Sequence, residues 1–153
     1  MSSSKPAGDD ARVVCSTLPR YLRTRVRSAR EAADYLRRRG VPSQAALRAV
    51  ADCRARGLLD DRACARLWAG HWARQGYAAS AIRLKLAAKG LADEVISEAA
   101  RAEGAPAEEK ARARRVGEAA PRRGAQQADR LARALAARGF EADLIERVIG
   151  EPS

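Results

Sequence analysis

Bulky side chains are scarce in this chain. Its 153 residues include one phenylalanine, two tryptophans, three tyrosines and one histidine. Runs of alternating β-branched residues, the mark of strands, are missing as well, so no segment reads as a sheet. A core built from small residues suits packed helices better than a sandwich or barrel. The single histidine, with no Cys-x-x-Cys pair, leaves a zinc site without ligands. The cysteines, Cys15, Cys53 and Cys64, are odd in number. That argues against a disulfide framework and for a reducing cytoplasm, where a thiol on a helix acts as a small hydrophobe. No apolar run approaches the roughly 20 residues of a membrane span. The stretch from Met1 to Asp10 is polar and lacks the apolar segment of a signal peptide. Residues 1–11 are expected to form a disordered N-terminal tail.

Motifs for catalysis are also lacking. There is no phosphate-binding loop, Gly-x-Ser-x-Gly or His-Glu-x-x-His. The one paired carboxylate, Asp60-Asp61, stands near Arg62 and Arg66 and reads as a helix cap, with Asp60 as N-cap. His71, three residues after Trp68, reads as a packing side chain. No catalytic residue, metal or cofactor is expected, and the chain is not read as an enzyme.

Helix formers are abundant, with alanine, leucine, arginine and glutamate dominant. Basic residues number 30 against 19 acidic, a net charge of +11. Such an excess favours a polyanionic partner. The arginines cluster: Arg20, Arg23, Arg25, Arg27 and Arg30 lead to Arg37, Arg38 and Arg39, and a second group is Arg112, Arg114, Arg115, Arg122 and Arg123. Their forks match phosphates and carboxylates. With few interleaved aromatics, base readout is not expected.

Glycines punctuate the helices at 40, 57, 76, 90, 104, 124 and 139, each placed to supply the left-handed residue that closes a last turn. Gly40, Gly90 and Gly139 recur about every 50 residues, and their context recurs with them. Leu36, Leu86 and Leu135 lie four before, and Ala32, Ile82 and Leu131 eight before. Arg39, Lys89 and Arg138 lie one before; Val41, Leu91 and Phe140 one after. A shorter helix follows, carrying Leu47 and Val50, then Val95, Ile96 and Ala99, then Leu144, Ile145, Val148 and Ile149. This match needs a one-residue shift in the first unit. A further helix precedes each pair: near Leu18 to Arg27, about Asp61 to Gln75, and about Ala107 to Ala119. On the second of these, Cys64, Leu67, Trp68, His71 and Trp72 are expected to form the apolar stripe, with both tryptophans read as core and a partner-binding hot spot as the lesser alternative. The expected fold is all-α: tandem three-helix repeats at 12–57, 58–104 and 105–150, forming an elongated, curved array.

The stretch Gly57-Leu58-Leu59-Asp60-Asp61-Arg62-Ala63-Cys64-Ala65, with Trp68, Gly76, Ile82-Arg83, Leu86 and Lys89-Gly90-Leu91, resembles the RecX family. Tyr35-Leu36-Arg37-Arg38-Arg39-Gly40-Val41 looks like that family's first unit, and Tyr21-Leu22 like its entry helix. The chain departs from the pattern at Cys64, usually phenylalanine, at Trp72, commonly arginine, and at Lys85, commonly glutamate. The resemblance implies a cytoplasmic, monomeric regulator that binds the RecA recombinase filament, touches DNA phosphates, and inhibits ATPase and strand exchange in recombination, DNA repair and the SOS response. Arg37, Arg38, Arg39, Arg83, Lys85 and Lys89 are the residues expected at the partner or DNA surface. Leu58, Leu59, Asp60, Asp61, Trp68, Leu86 and Gly90 form the structural motif.

Overall fold

A computed structural model describes residues 7–119 and 126–151. Among these residues there are nine helices and no strand. They are α1 (Ala7–Thr24), α2 (Ala29–Arg38), α3 (Ser43–Ala55), α4 (Asp61–Arg74), α5 (Ala79–Ala88), α6 (Asp93–Glu103), α7 (Pro106–Ala119), α8 (Gln127–Ala137) and α9 (Ala142–Gly150). Residues 1–6 of the expected tail lie outside the described residues, whereas 7–11 belong to α1. The first helix therefore begins well before Leu18 and ends at Thr24, three residues short of Arg27. It also runs through Pro19.

Pairs of packed helices recur along the chain. α2 packs on α3, α5 on α6 and α8 on α9, while α1 and α7 pack on the pairs that follow them. The chain divides into two compact units: 1–64 with 89–91, and 65–88 with 92–153. In the first unit, Leu18, Leu36, Val41, Val50 and Leu59 close around Ala32, Ala33, Ala46 and Cys53. In the second, Ala78, Ala113, Leu135, Phe140, Leu144 and Ile145 form a buried cluster lined by Val116, Leu131, Val148 and Ile149. Leu36, Leu86 and Leu135 are each fully buried, worth about 1.5–3 kcal/mol apiece relative to exposure.

The repeat register is tighter than the sequence pattern indicates. In α3 the buried residues are Ala46, Val50 and Cys53, and Leu47 is 54% exposed. Ala46 stands six after Gly40, as Ile96 stands six after Gly90 and Ile145 six after Gly139; all three are buried. No one-residue shift is needed. An alanine occupies the core position, and its leucine neighbour disguises it.

Helix ends explain the glycines. Val41 N–H donates to Leu36 O at 3.0 Å and Gly40 N–H to Arg37 O at 2.9 Å, the paired bonds that satisfy the last carbonyls. The same pairing recurs after α3, α4 and α8, through Leu58, Tyr77 and Phe140. Gly104 differs, with φ −102°. A Cβ there would lie 3.0 Å from Ala100 O and 3.2 Å from Ala79 Cβ, so close packing accounts for this glycine rather than a left-handed turn. Gly124 lies outside the described residues.

A joint recurs at the start of the middle helix. Ser28 caps α2 through a reciprocal pair with Glu31 at 3.1 and 3.0 Å. Its buried hydroxyl also donates to Lys89 O at 2.6 Å, and Ala29 N–H donates to the Asp61 carboxylate at 2.9 Å. Fifty residues later, Ala78 N–H donates to Arg138 O at 2.9 Å, and Ala79 N–H to the Glu109 carboxylate at 2.7 Å. In each joint a carboxylate from the first turn of a later helix satisfies a free amide of α2 or α5, while the turn before a repeat glycine accepts from the Ser28 hydroxyl in the first joint and from the Ala78 amide in the second.

Candidate functional site

Helix α4 places small residues inward. Cys64, Ala65, Ala69 and Ala73 are buried, whereas Leu67 is 51% exposed and Trp68, His71 and Trp72 are half-buried. The expected stripe is thus rotated toward the alanines, and neither tryptophan is a core residue. An alanine lets neighbouring backbones approach where an indole would hold them apart. The rings gather instead at the helix edge. Trp68 and Trp72 stack with centroids 5.3 Å apart, and His71 meets Trp68 edge-on at 5.4 Å.

Cations cover several aromatic faces. Lys85 Nζ lies 5.6 Å from the Trp72 ring centre and 4.4 Å from that of Tyr77, and the Arg138 guanidinium lies 5.4 Å from Tyr77. A related cluster stands one repeat earlier. Tyr21 and Tyr35 stack at 3.9 Å, with Arg27 over Tyr21 at 4.1 Å and Arg39 over Tyr35 at 5.1 Å. Arg27 and Tyr77 are 50 residues apart, as are Tyr35 and Lys85. The cation and the aromatic exchange places between repeats, but the partners differ: Lys85 lies over Tyr77, whereas Arg27 lies over Tyr21 and Tyr35 is met by Arg39.

The six basic residues expected at the partner surface fall into different settings. Arg38 and Arg83 are exposed, and no carboxylate pairs with either among the described residues. Arg37 is exposed and pairs with Asp34 at 2.9 Å, and Arg39 is exposed beside Tyr35. Lys85 is half-buried against the rings. Lys89 is only 15% exposed and pairs with Glu31 at 3.4 Å inside the first joint. It is placed as a structural cation.

The second arginine group also divides. Arg112 is buried, not part of a solvent-facing patch. It donates to Tyr77 O at 3.1 Å and Glu103 O at 3.0 Å, and pairs with the Glu103 carboxylate at 3.4 Å. Lys110 and Arg114 hold Glu151, and their hydrogen bonds, Lys110's first, keep its carboxyl below the ordinary range. Arg115 is exposed, and Arg122 and Arg123 lie outside the described residues. At the end of α1, Arg20, Arg23 and Arg25 are exposed without a carboxylate partner among the described residues. Sequence periodicity could not find Arg112, because arginine is seldom a core residue unless several acceptors converge on it.

Asp60 and Asp61 each have a structural partner. Asp60 accepts the Ala63 N–H at 3.1 Å, and Asp61 caps α2. No group of metal-ligating side chains is present among the described residues. Of the rest of the motif, Leu59 and Leu86 are buried, while Leu58 is exposed and serves through its amide, which closes α3. Burial pushes the Cys64 thiol up to about 11, with the Glu31 carboxylate adding to the shift; burial also raises Cys53, with Asp52 adding to it. Neither behaves as a reactive thiol. No helix among the described residues is long and apolar enough to cross a membrane.

Residues 60–99 match the family model for the second three-helix domain of RecX. The fold is similar to two solved structures. One is the crystal structure of RecX from Lactobacillus salivarius, with a TM-score of 0.77 at 18% identity over 93% of this chain and 96% of that one. The other is a crystal structure of regulatory protein RecX, with a TM-score of 0.74 at 18% identity over 99% of this chain and 81% of that one. No curated protein matches the sequence.

Proposed function

We propose that the chain is a RecX-type protein, a non-catalytic cytoplasmic regulator that binds the RecA filament on DNA and lowers its ATPase and strand exchange. The observation that carries the reading is the family match over 60–99. That segment holds the Asp60-Asp61 caps, the α4 aromatic strip and the Lys89-Gly90 turn. The net charge of +11 adds to it, since a basic chain is drawn to an acidic, DNA-bearing filament. Arg37, Arg38, Arg39, Arg83 and Lys85 are proposed as contacts, with Lys89 supporting the turn beside them.

A second reading, nucleic-acid binding independent of RecA, is favoured by the exposed Arg20, Arg23 and Arg25, which lack carboxylate partners among the described residues. Salt separates the two. Binding should be followed by anisotropy on bare single-stranded DNA and on the same DNA coated with RecA, in rising salt. A regulator of the filament stays bound to the coated DNA at salt that releases it from bare DNA, because phosphate contacts alone weaken steeply with salt. Equal release from both supports the second reading.

A further inference from the structure

The strip on α4 is unusual for a helix that serves only to pack. Its largest apolar side chains, Leu67, Trp68 and Trp72, lie outside the buried row of Cys64, Ala65, Ala69 and Ala73. At 3.6 residues per turn, positions 67, 68, 71 and 72 run along one side of the helix. Leu67 is 51% exposed and lies outside the buried core, so its substitution would leave the core intact.

The border of this strip is cationic. Lys85 and Arg138 rest against Trp72 and Tyr77, and no carboxylate pairs with either among the described residues. Arg138 is further fixed by donating to Gln75 O. Two positive groups are thus held in place beside an apolar ridge. Ring faces already covered by cations make a poor platform for bases, which stack on open faces. Aromatic anchors next to preorganised cations instead suit a protein segment that brings carboxylates beside an apolar side chain.

We propose that Leu67, Trp68, His71 and Trp72, bordered by Lys85 and Arg138, form a protein-docking surface for such an acidic, apolar segment. Assigning that segment to a RecA subunit rests on the functional reading above. DNA phosphates are then bound elsewhere on the chain.

The test compares L67D with L47D. Leu67 and Leu47 are exposed to nearly the same degree, 51% and 54%, on different helices. Affinity is measured for RecA-coated and for bare single-stranded DNA, with helicity checked by circular dichroism. Loss of at least about tenfold affinity for the filament by L67D is expected, with bare-DNA affinity within about twofold of wild type and L47D unchanged on both. If L67D is less helical than wild type, L67S and K85E carry the comparison, K85E reversing the charge that meets the carboxylates. The proposal is overturned if L67D binds the filament as wild type does, if it loses bare-DNA binding equally, or if L47D is equally impaired. Wild-type protein that binds DNA but not the filament overturns the functional reading, and with it RecA as the occupant.

Discussion

Arg112 shows how a single residue can be misread from charge alone. In sequence it stands in a basic run with Arg114 and Arg115. In the structure two backbone carbonyls and the Glu103 carboxylate converge on its guanidinium. Replacing it with methionine keeps length but leaves those acceptors unpaired, and is expected to lower unfolding free energy by about 2–4 kcal/mol. Denaturant titration of R112M beside R115M, altered at an exposed position, measures this; equal effects would show that burial of Arg112 contributes nothing. Cys64 makes a second case. Its folded-state thiol, near 11, lies above its ordinary value of 9.0. The neutral thiol therefore favours the fold fully below about pH 9, and that contribution falls as pH rises toward 11. Thermal midpoints measured between about pH 8 and 10.5 should drop more in wild type than in C64A. Parallel curves would contradict the assignment.

Among the helices, the sequence was most legible where large residues mark the core. Leu36, Leu86 and Leu135, with Val41, Leu91 and Phe140, are buried as their offsets from the glycines predict. It was least legible where alanine does the packing. Ala46 hid behind Leu47, and Ala65, Ala69 and Ala73 hid behind Trp68 and Trp72. Hydrophobic patterns weight large side chains, so a helix seated on alanines looks rotated. The recurrent joint was only half visible: Asp60-Asp61 reads as a cap, but that Asp61 reaches the amide of Ala29 depends on tertiary placement. Turn glycines offer a graded test of packing against backbone preference. Gly57, at φ +74°, has open space around a built Cβ, whereas Gly139, at φ +87°, would press it to 2.8 Å from Ser80 Oγ and 2.9 Å from Ala81 Cβ. G57A should cost about 1–2 kcal/mol from the left-handed conformation, and G139A measurably more. Equal losses in denaturant midpoint would show that the turn before Phe140 does not fit closely on α5.

For the molecule as a whole, composition and period were enough to set the class. Scarce aromatics, abundant helix formers and a 50-residue recurrence pointed to an all-helical repeat, and nine helices with recurring packed pairs are what the described residues form. The candidate surface was less readable. Exposed cations such as Arg38 and Arg83 cannot be told from Lys89, locked in a joint, by spacing alone. Nor does spacing show that Lys85 lies over two rings. Regulation is tested most simply by the single-stranded-DNA-dependent ATPase of the RecA from the same source, titrated with this protein on preformed filaments. Turnover is expected to fall as the protein is added, and to fall on filaments already assembled, so that competition for free DNA is not the cause. Unchanged turnover at an excess of helical, folded protein would contradict the regulatory reading.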